Sequence, residues 1–508
     1  MVCSLRMREL ASPPGKAMRE FGMADANHFL HEHDGFCLCQ SPAFAKLNAI
    51  VETRFTRRAF LAGTVAGAGA LALWPGGAIA DVPEAPTVPI AFTNVKIFDG
   101  RSAVLVEGQR VIVEGNTIAR IEGDAGDLGG GVQTIDGGGR TLMPGLIDAH
   151  WHAMMTAVPM MELLTADIGY INLVAAQEAE RTLMRGFTSI RDMAGPTFGL
   201  KRAIDAGITP GPRVWPSGAM ISQTGGHGDY RMPYEVPSEA GRSLSRGEAV
   251  SGGIIADGSA EVIRRAREQL MLGASQLKLA AGGGIASNYD PIDVSQYTEA
   301  EFRAAVDAAE NWGTYVAVHA YTPRAIQTAV RGGVRCIEHG HLMDEETAKL
   351  MAEQDIWLSS QPFLDNAYAN PQPEGSLNRA KQLNVFAGTD TAYGLARKYG
   401  LKTAWGTDIL FDPGMTRHQG AILATMTRWY SDGEILAMAT GTNADLLAMS
   451  GPRNPYPGKV GVIEAQAFAD LLLVEGDPTK NVALLADPET NLPVIMKDGR
   501  IYKNTLEA

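Results

Sequence analysis

Between residues 146 and 408 the sequence carries eight short apolar runs, at 146–152, 188–193, 213–218, 277–281, 316–321, 336–340, 357–362 and 402–408. Helical periodicity appears between them, as at 261–272, 299–312 and 344–354. Apolar strands alternating with helices mark parallel βα units, because each crossover helix covers one face of the sheet. Eight is the number at which such a sheet closes, so the pattern predicts an α/β fold with a (β/α)8 TIM-like barrel over residues 146–459. A doubly wound open sheet is the alternative, since counting strands does not show closure.

The flanks have another texture. Short β-rich stretches at 91–97, 110–113 and 117–122 alternate with Gly, Asn and Asp turns, and read as small antiparallel strands. The texture returns at 469–474 and 494–502, where VIMKDGRIYK has the pattern of a hairpin. Two distant segments of like composition are expected to pair, giving a small β-sandwich domain from residues 81–145 and 460–508.

Ahead of them, Arg57-Arg58 precedes a run of small apolar residues and then Ala78-Ile79-Ala80. This order resembles a twin-arginine export signal, which implies a presequence over 1–80, cleavage after Ala80 and a periplasmic or extracellular protein. A membrane anchor is the alternative, but a Gly- and Ala-rich segment of about 15 residues falls short of the roughly 20 needed to span a bilayer. No stable membrane association is expected after cleavage. Of four cysteines only Cys336 lies beyond the presequence, so no disulfide framework is available there. His28, His31 and His33 also fall in the presequence, where a metal-binding tract is a matter of composition alone. The net charge of -13 gives no electrostatic support for nucleic-acid or anionic-lipid binding and leaves a small-molecule partner as the expectation. A homo-oligomer is compatible with the sequence.

Polar residues sit at the C-terminal ends of the apolar runs, where a barrel places its chemistry. His150 and His152 end the first run, His319 the fifth, His339 the sixth and Asp408 the eighth, while Lys278 lies inside the fourth. Residues i and i+2 of a strand share a face, so His150 and His152 can reach one point. A lone strand-end histidine is more often a hydrogen-bonded structural residue, and a lone strand lysine usually extends its amine to water. Together, four histidines, one aspartate and one lysine form a shell suited to zinc or a similar divalent ion.

The motifs MPGLIDAHWH, QLKLAAGGG, VAVHAY, IEHGH and WGTD resemble the amidohydrolase superfamily over about residues 90–505. TGGHGD, LKLAAGGGIAS and IEHGHLMDEET are most similar to its prolidase-like and ochratoxin-hydrolysing branch, which cuts an amide next to a C-terminal carboxylate. The resemblance implies two divalent ions, with zinc expected, and an N-carboxylated Lys278 bridging them. His150, His152 and Asp408 would hold one ion and His319 and His339 the other, with a hydroxide between them. Asp408 would shuttle the proton to the leaving nitrogen. His227, in a Gly-rich loop, would be a second electrophile at the substrate carbonyl, with a solvated loop histidine as the alternative.

The substrate is expected to be a small amide or dipeptide. Met154, Met155, Met160, Met161, Trp215, Tyr230, Phe363 and Phe411 could line an apolar pocket, with ordinary packing as the alternative. Gly225-Gly226 and Gly282–Gly284 allow close backbone approach to a ligand. Arg191, Arg202 and Tyr230 are candidates to grip a carboxylate, and His341 and His418 are given no metal role. Two other readings stay open: a one-metal deaminase or imidazolonepropionase-like cyclic amide hydrolase, which would not need Lys278, and a non-catalytic barrel used for binding.

Overall fold

The structure, a computed structural model, describes residues 82–236 and 243–506. The expected signal, its cleavage point and the three presequence histidines lie outside the described residues. Strands β1 (Ile90–Ile97), β2 (Val106–Glu114) and β3 (Thr117–Gly123) form an antiparallel meander, with Ile90 opposite Val113 and Val111 opposite Ile121. The next two strands, not singled out in the sequence, differ in their pairing with β1, although β5 also pairs antiparallel with a later strand over Leu471–Val474. β4 (Gln133–Asp136) and β5 (Thr141–Pro144) both run parallel to β1. After β3 the chain crosses to the other side of β1 and returns in the direction of β1. Gly137–Gly139 then carry it past Asn94, whose φ of 51° breaks the β1 ladder, before β5 resumes along the same strand.

The eight apolar runs all contain strands. β6 (Leu146–Trp151), β7 (Phe187–Asp192) and β8 (Arg213–Pro216) make one parallel sheet. The second parallel sheet contains β9 (Met220–Ser222), β10 (Gly253–Ile255), β11 (Leu277–Ala280), β12 (Val316–Ala320), β13 (Cys336–His339), β14 (Trp357–Ser360) and β15 (Thr403–Trp405). β9 and β10, three residues each, were not among the runs read from the sequence. Two backbone hydrogen bonds join the sheets at their edges: Ser275 N donates to Pro216 O at 2.8 Å, and Asp408 N to His150 O at 2.9 Å.

Strands covered on both faces are largely apolar, and β6, β7 and β11–β14 are buried at every position, their polar residues included. The helices between them have clear ends. Glu299–Trp312 starts on a Thr298–Glu301 capping box and stops at Gly313 in the left-handed conformation, and Leu377–Tyr399 stops likewise at Gly400.

Last, β16 (Leu471–Val474), β17 (Val494–Lys497) and β18 (Arg500–Asn504) return to the first sheet. β16 pairs with β5, Leu472 opposite Met143, so both ends of the described chain share one eight-stranded sheet. β17 and β18 are the expected hairpin. Among the described residues no helix is long and apolar enough to cross a membrane.

Candidate active site

β6 presents His150 and, one residue beyond the strand, His152. β11 presents Lys278, β12 His319 and β13 His339, while Asp408 lies just past β15. All six line one cavity, together with His227 and Tyr230 from the loop after β9. Gly406 lets the chain after β15 pass against β6, since a Cβ there would lie 2.5 Å from His150 N. His339 and Asp408 hold φ of 80° and 53°, a conformation that costs a non-glycine residue about 1–3 kcal/mol and concentrates at functional sites.

The imidazoles form a chain of contacts. Ring centroids are 5.3 Å apart for His150 and His152, 4.9 Å for His150 and His339, 4.4 Å for His319 and His339, and 4.0 Å for His227 and His319. Among the described residues, His150, His339 and Asp408 bring three ligand atoms within 4.8 Å of one another. This group takes residues from both of the ligand sets expected from the sequence.

Acceptors around the cavity fix which nitrogen of each ring carries its proton. Glu338 Oε2 lies 2.8 Å from His150 Nδ1, Gln361 Oε1 2.6 Å from His339 Nδ1, and Gly283 O 3.1 Å from His319 Nε2. Carboxylate and carbonyl oxygens only accept, so each of these nitrogens donates and the other keeps a lone pair. The Gln361 orientation is supported by its Nε2 donating to Ser359 O at 3.3 Å. His150 Nε2, thus a bare lone pair, lies 3.3 Å from Asp408 Oδ1. Two acceptors facing each other in a buried site call for a cation. His152 Nε2 lies 2.9 Å from Asp408 Oδ1, and its buried Nδ1 has no hydrogen-bond partner. The donor set therefore fits a divalent metal, and outer acceptors that orient ligating imidazoles are usual at such sites.

Electrostatics point the same way. Burial, with Lys278 nearby, lowers His150 to about 4, and burial holds His319 and His339 well below the ordinary imidazole range, so these rings are neutral and able to ligate. Burial lowers the Lys278 amine to about 8, against the pull of Glu338 and Asp408. Burial alone would raise the Asp408 carboxyl, but the hydrogen bond with His152 and the nearby Lys278 charge hold it below the usual carboxylate range. Burial, with Asp408 and Asp290 nearby, pushes the Tyr230 phenol up, which keeps it a neutral donor.

Several expectations need correction. Arg191 does not face a substrate: it is fully buried, donating to Ala149 O at 2.6 Å and to both Glu338 oxygens at 2.8 Å. Arg202 is an exposed residue of the Phe198–Asp205 helix, and Trp215 is buried against Tyr456, its Nε1 donating to Asn454. Met155 and Phe363 line the cavity, whereas Met154 is core and Met161 is exposed. Phe411 stands edge-on to Tyr230 at 6.3 Å. His341 donates to Gln361 O and stacks on Phe363, and His418 packs on Tyr368. Glu338 was missed. Its signal was a charged residue in a buried strand directly before His339, but only the fold shows that it reaches back to His150 and Arg191.

The sequence matches the amidohydrolase family over residues 141–502. Ochratoxinase of Aspergillus niger is 29% identical over 382 residues, covering 71% of this chain and 75% of that protein. Among solved structures, an amidohydrolase is similar at 36% identity and a TM-score of 0.74, over 82% of this chain and 100% of the other. A prolidase complexed with n-methylphosphonate-l-proline is similar at 33% identity and a TM-score of 0.74, with the same coverage of both chains.

Proposed function

The chain belongs to the amidohydrolase family, and from that premise we propose that it cleaves the amide of N-acyl amino acids or dipeptides next to a C-terminal carboxylate, using two divalent metal ions. Amide-bond hydrolysis and an α/β TIM-barrel-like fold come with the family and its relatives. The observation that carries the reading is the His150 Nε2 lone pair facing Asp408 Oδ1 in a cavity that four further ligand candidates line.

His150, His152 and Asp408 would hold one ion and His319 and His339 the other, with Lys278, carboxylated on its amine, between them. Zinc suits this imidazole and carboxylate set. Such ions, when bound, supply polarisation of a carbonyl and a lowered pKa for water. The chain's own groups do the rest. A lysine whose amine burial has brought to about 8 has the free base that reacts with carbon dioxide. Asp408 takes the proton of the attacking water and returns it to the leaving nitrogen, and the Tyr230 phenol donates to the carbonyl oxygen. Phe363, Phe386, Met155 and Leu410 line the same cavity and suit an aromatic or aliphatic substituent. The similarity to ochratoxinase and to a prolidase supports the substrate class.

The test is purified, metal-replete protein incubated with a panel of N-acyl amino acids, dipeptides and ochratoxin A, with products read by mass spectrometry and metal counted per chain. Two ions and free amino acid products support the proposal. One ion with ammonia release favours the deaminase reading, and full metal with no turnover favours a binding protein.

The proposal includes a closed (β/α)8 barrel over 146–459 and a β-sandwich from both ends, supported by the hydrogen bonds that join the parallel sheets and by the shared eight-stranded sheet. It also includes export, supported by Arg57-Arg58 and Ala78-Ile79-Ala80. Replacing both arginines with lysine should leave precursor in the cytoplasm; unchanged processing at Ala80 would refute it.

A further inference from the structure

The glycine-rich stretch after β11 has a purpose that neither the metal set nor the substrate cavity explains. Gly284 lies flat against His227: a Cβ there would sit 2.0 Å from Nδ1 and 2.2 Å from Cε1. Gly283 is equally close to Pro291, where a Cβ would meet the carbonyl oxygen at 1.9 Å. These glycines let the 282–291 loop fold back and enclose the His227 ring. The two close approaches are to the His227 ring and to the Pro291 carbonyl.

The same loop supplies the partners of that ring. His227 Nδ1 lies 2.7 Å from Ser287 Oγ, and Ser287 Oγ lies 2.7 Å from Asp290 Oδ2. Asp290 is buried, and its Oδ2 also accepts from Gly284 N at 2.6 Å. Lys381, on the Leu377–Tyr399 helix, clamps the loop from outside by donating to Gly284 O, Ser287 O and Asp290 O at 3.1, 2.9 and 2.7 Å.

Proton counting settles the direction of the chain. Serine has one hydroxyl hydrogen and a carboxylate only accepts, so that hydrogen lies between Ser287 and Asp290. A serine donating to the ring instead would leave two oxygens 2.7 Å apart with no proton between them. Ser287 Oγ must therefore accept from His227 Nδ1–H. Net lowering of the Asp290 pKa by His227, Ser287 and Gly284, against a burial penalty, agrees with an ionised carboxylate.

We infer that Asp290 and Ser287 are positioning residues that hold a proton on His227 Nδ1, so that Nδ1–H is the tautomer this site selects for the ring. This rests on the proposed amidohydrolase site for its meaning.

The test reads the tautomer directly, without turnover. Full-length chain labelled with 15N in its histidine rings is examined by long-range proton–nitrogen correlation, and His227 is assigned from the spectrum of His227→Gln. The δ1-protonated pattern is expected in the wild type and in Ser287→Thr, which keeps the hydroxyl, and a shift to the ε2-protonated pattern or a mixture in Ser287→Ala. An ε2-protonated ring in the wild type overturns the inference, as does a Ser287→Ala pattern identical to wild type. The wild-type and Ser287→Thr spectra decide the matter even if Ser287→Ala does not fold. Failure of the amide screen leaves these spectra untouched, so the two readings fail separately.

Discussion

His150 Nε2 and Asp408 Oδ1 face each other at 3.3 Å, each an acceptor, because Glu338 has already taken the only ring hydrogen of the neutral His150. A cation between them resolves the conflict, and Asp408 then has two separable jobs, ligand and proton carrier. Asp408→Asn keeps one ligand oxygen and the shape of the side chain while removing the basic carboxylate. Bound metal should stay substantial while turnover falls by roughly a hundredfold or more. Metal analysis and kinetics run in parallel decide it: full metal with a near-normal rate would place the proton carrier elsewhere.

Glu338 braces the site from beneath, holding His150 and the buried Arg191 with one carboxylate. Glu338→Gln leaves the Arg191 charge uncompensated where both side chains are fully buried, which should cost about 3–5 kcal/mol. It should also weaken metal binding by about 10–100-fold, the range for losing an outer partner of a ligating histidine. Thermal unfolding and metal titration read the two effects separately. A variant with unchanged metal affinity would show that His150 is not a ligand.

Lys278→Ala should lose most activity and part of the bound metal. Bicarbonate with a short carboxylate such as acetate should restore some of both, because an external anion can occupy the place of the side-chain carbamate. Wild-type turnover in the unsupplemented variant would remove the carboxylated lysine from the mechanism.

Away from the site, Lys497 at the end of β17 is buried, and burial, with Arg213 nearby, lowers its amine to about 8. The unfolded chain holds this proton up to its ordinary value near 10.4, so between about pH 8 and 10.4 unfolding takes up a proton and raising the pH stabilises the fold. Below pH 8 both states are protonated and the native state carries the whole penalty, on the order of 3 kcal/mol. Lys497→Met should therefore raise the melting temperature most at pH 7, and its advantage should shrink as pH climbs from 8 to 10. An advantage constant across that range would refute the assignment.

Much of the fold was legible because burial on both faces forces long apolar runs, and these stand out against polar helices. The parallel strands β4 and β5 were not, since a short β-rich stretch looks the same whichever way its partner runs. The ligand candidates were legible because histidines, a lysine and an aspartate at the ends of apolar strands have no cheap structural explanation as a set. Glu338 was not, because a single buried carboxylate has meaning only through the Arg191 and His150 it touches.

The sequence by itself determined which chemical groups this protein owns, and through the strand period it set the end of the barrel-like sheet at which they emerge. The tertiary structure decided which nitrogen of each imidazole is free, by placing Glu338, Gln361, Gly283 O and Ser287 against the others. It also turned Arg191 from a candidate substrate anchor into a buried brace. Residue type follows from the sequence alone, but proton placement depends on which acceptor lies within about 3 Å, and those acceptors come from strands and loops far apart in the chain.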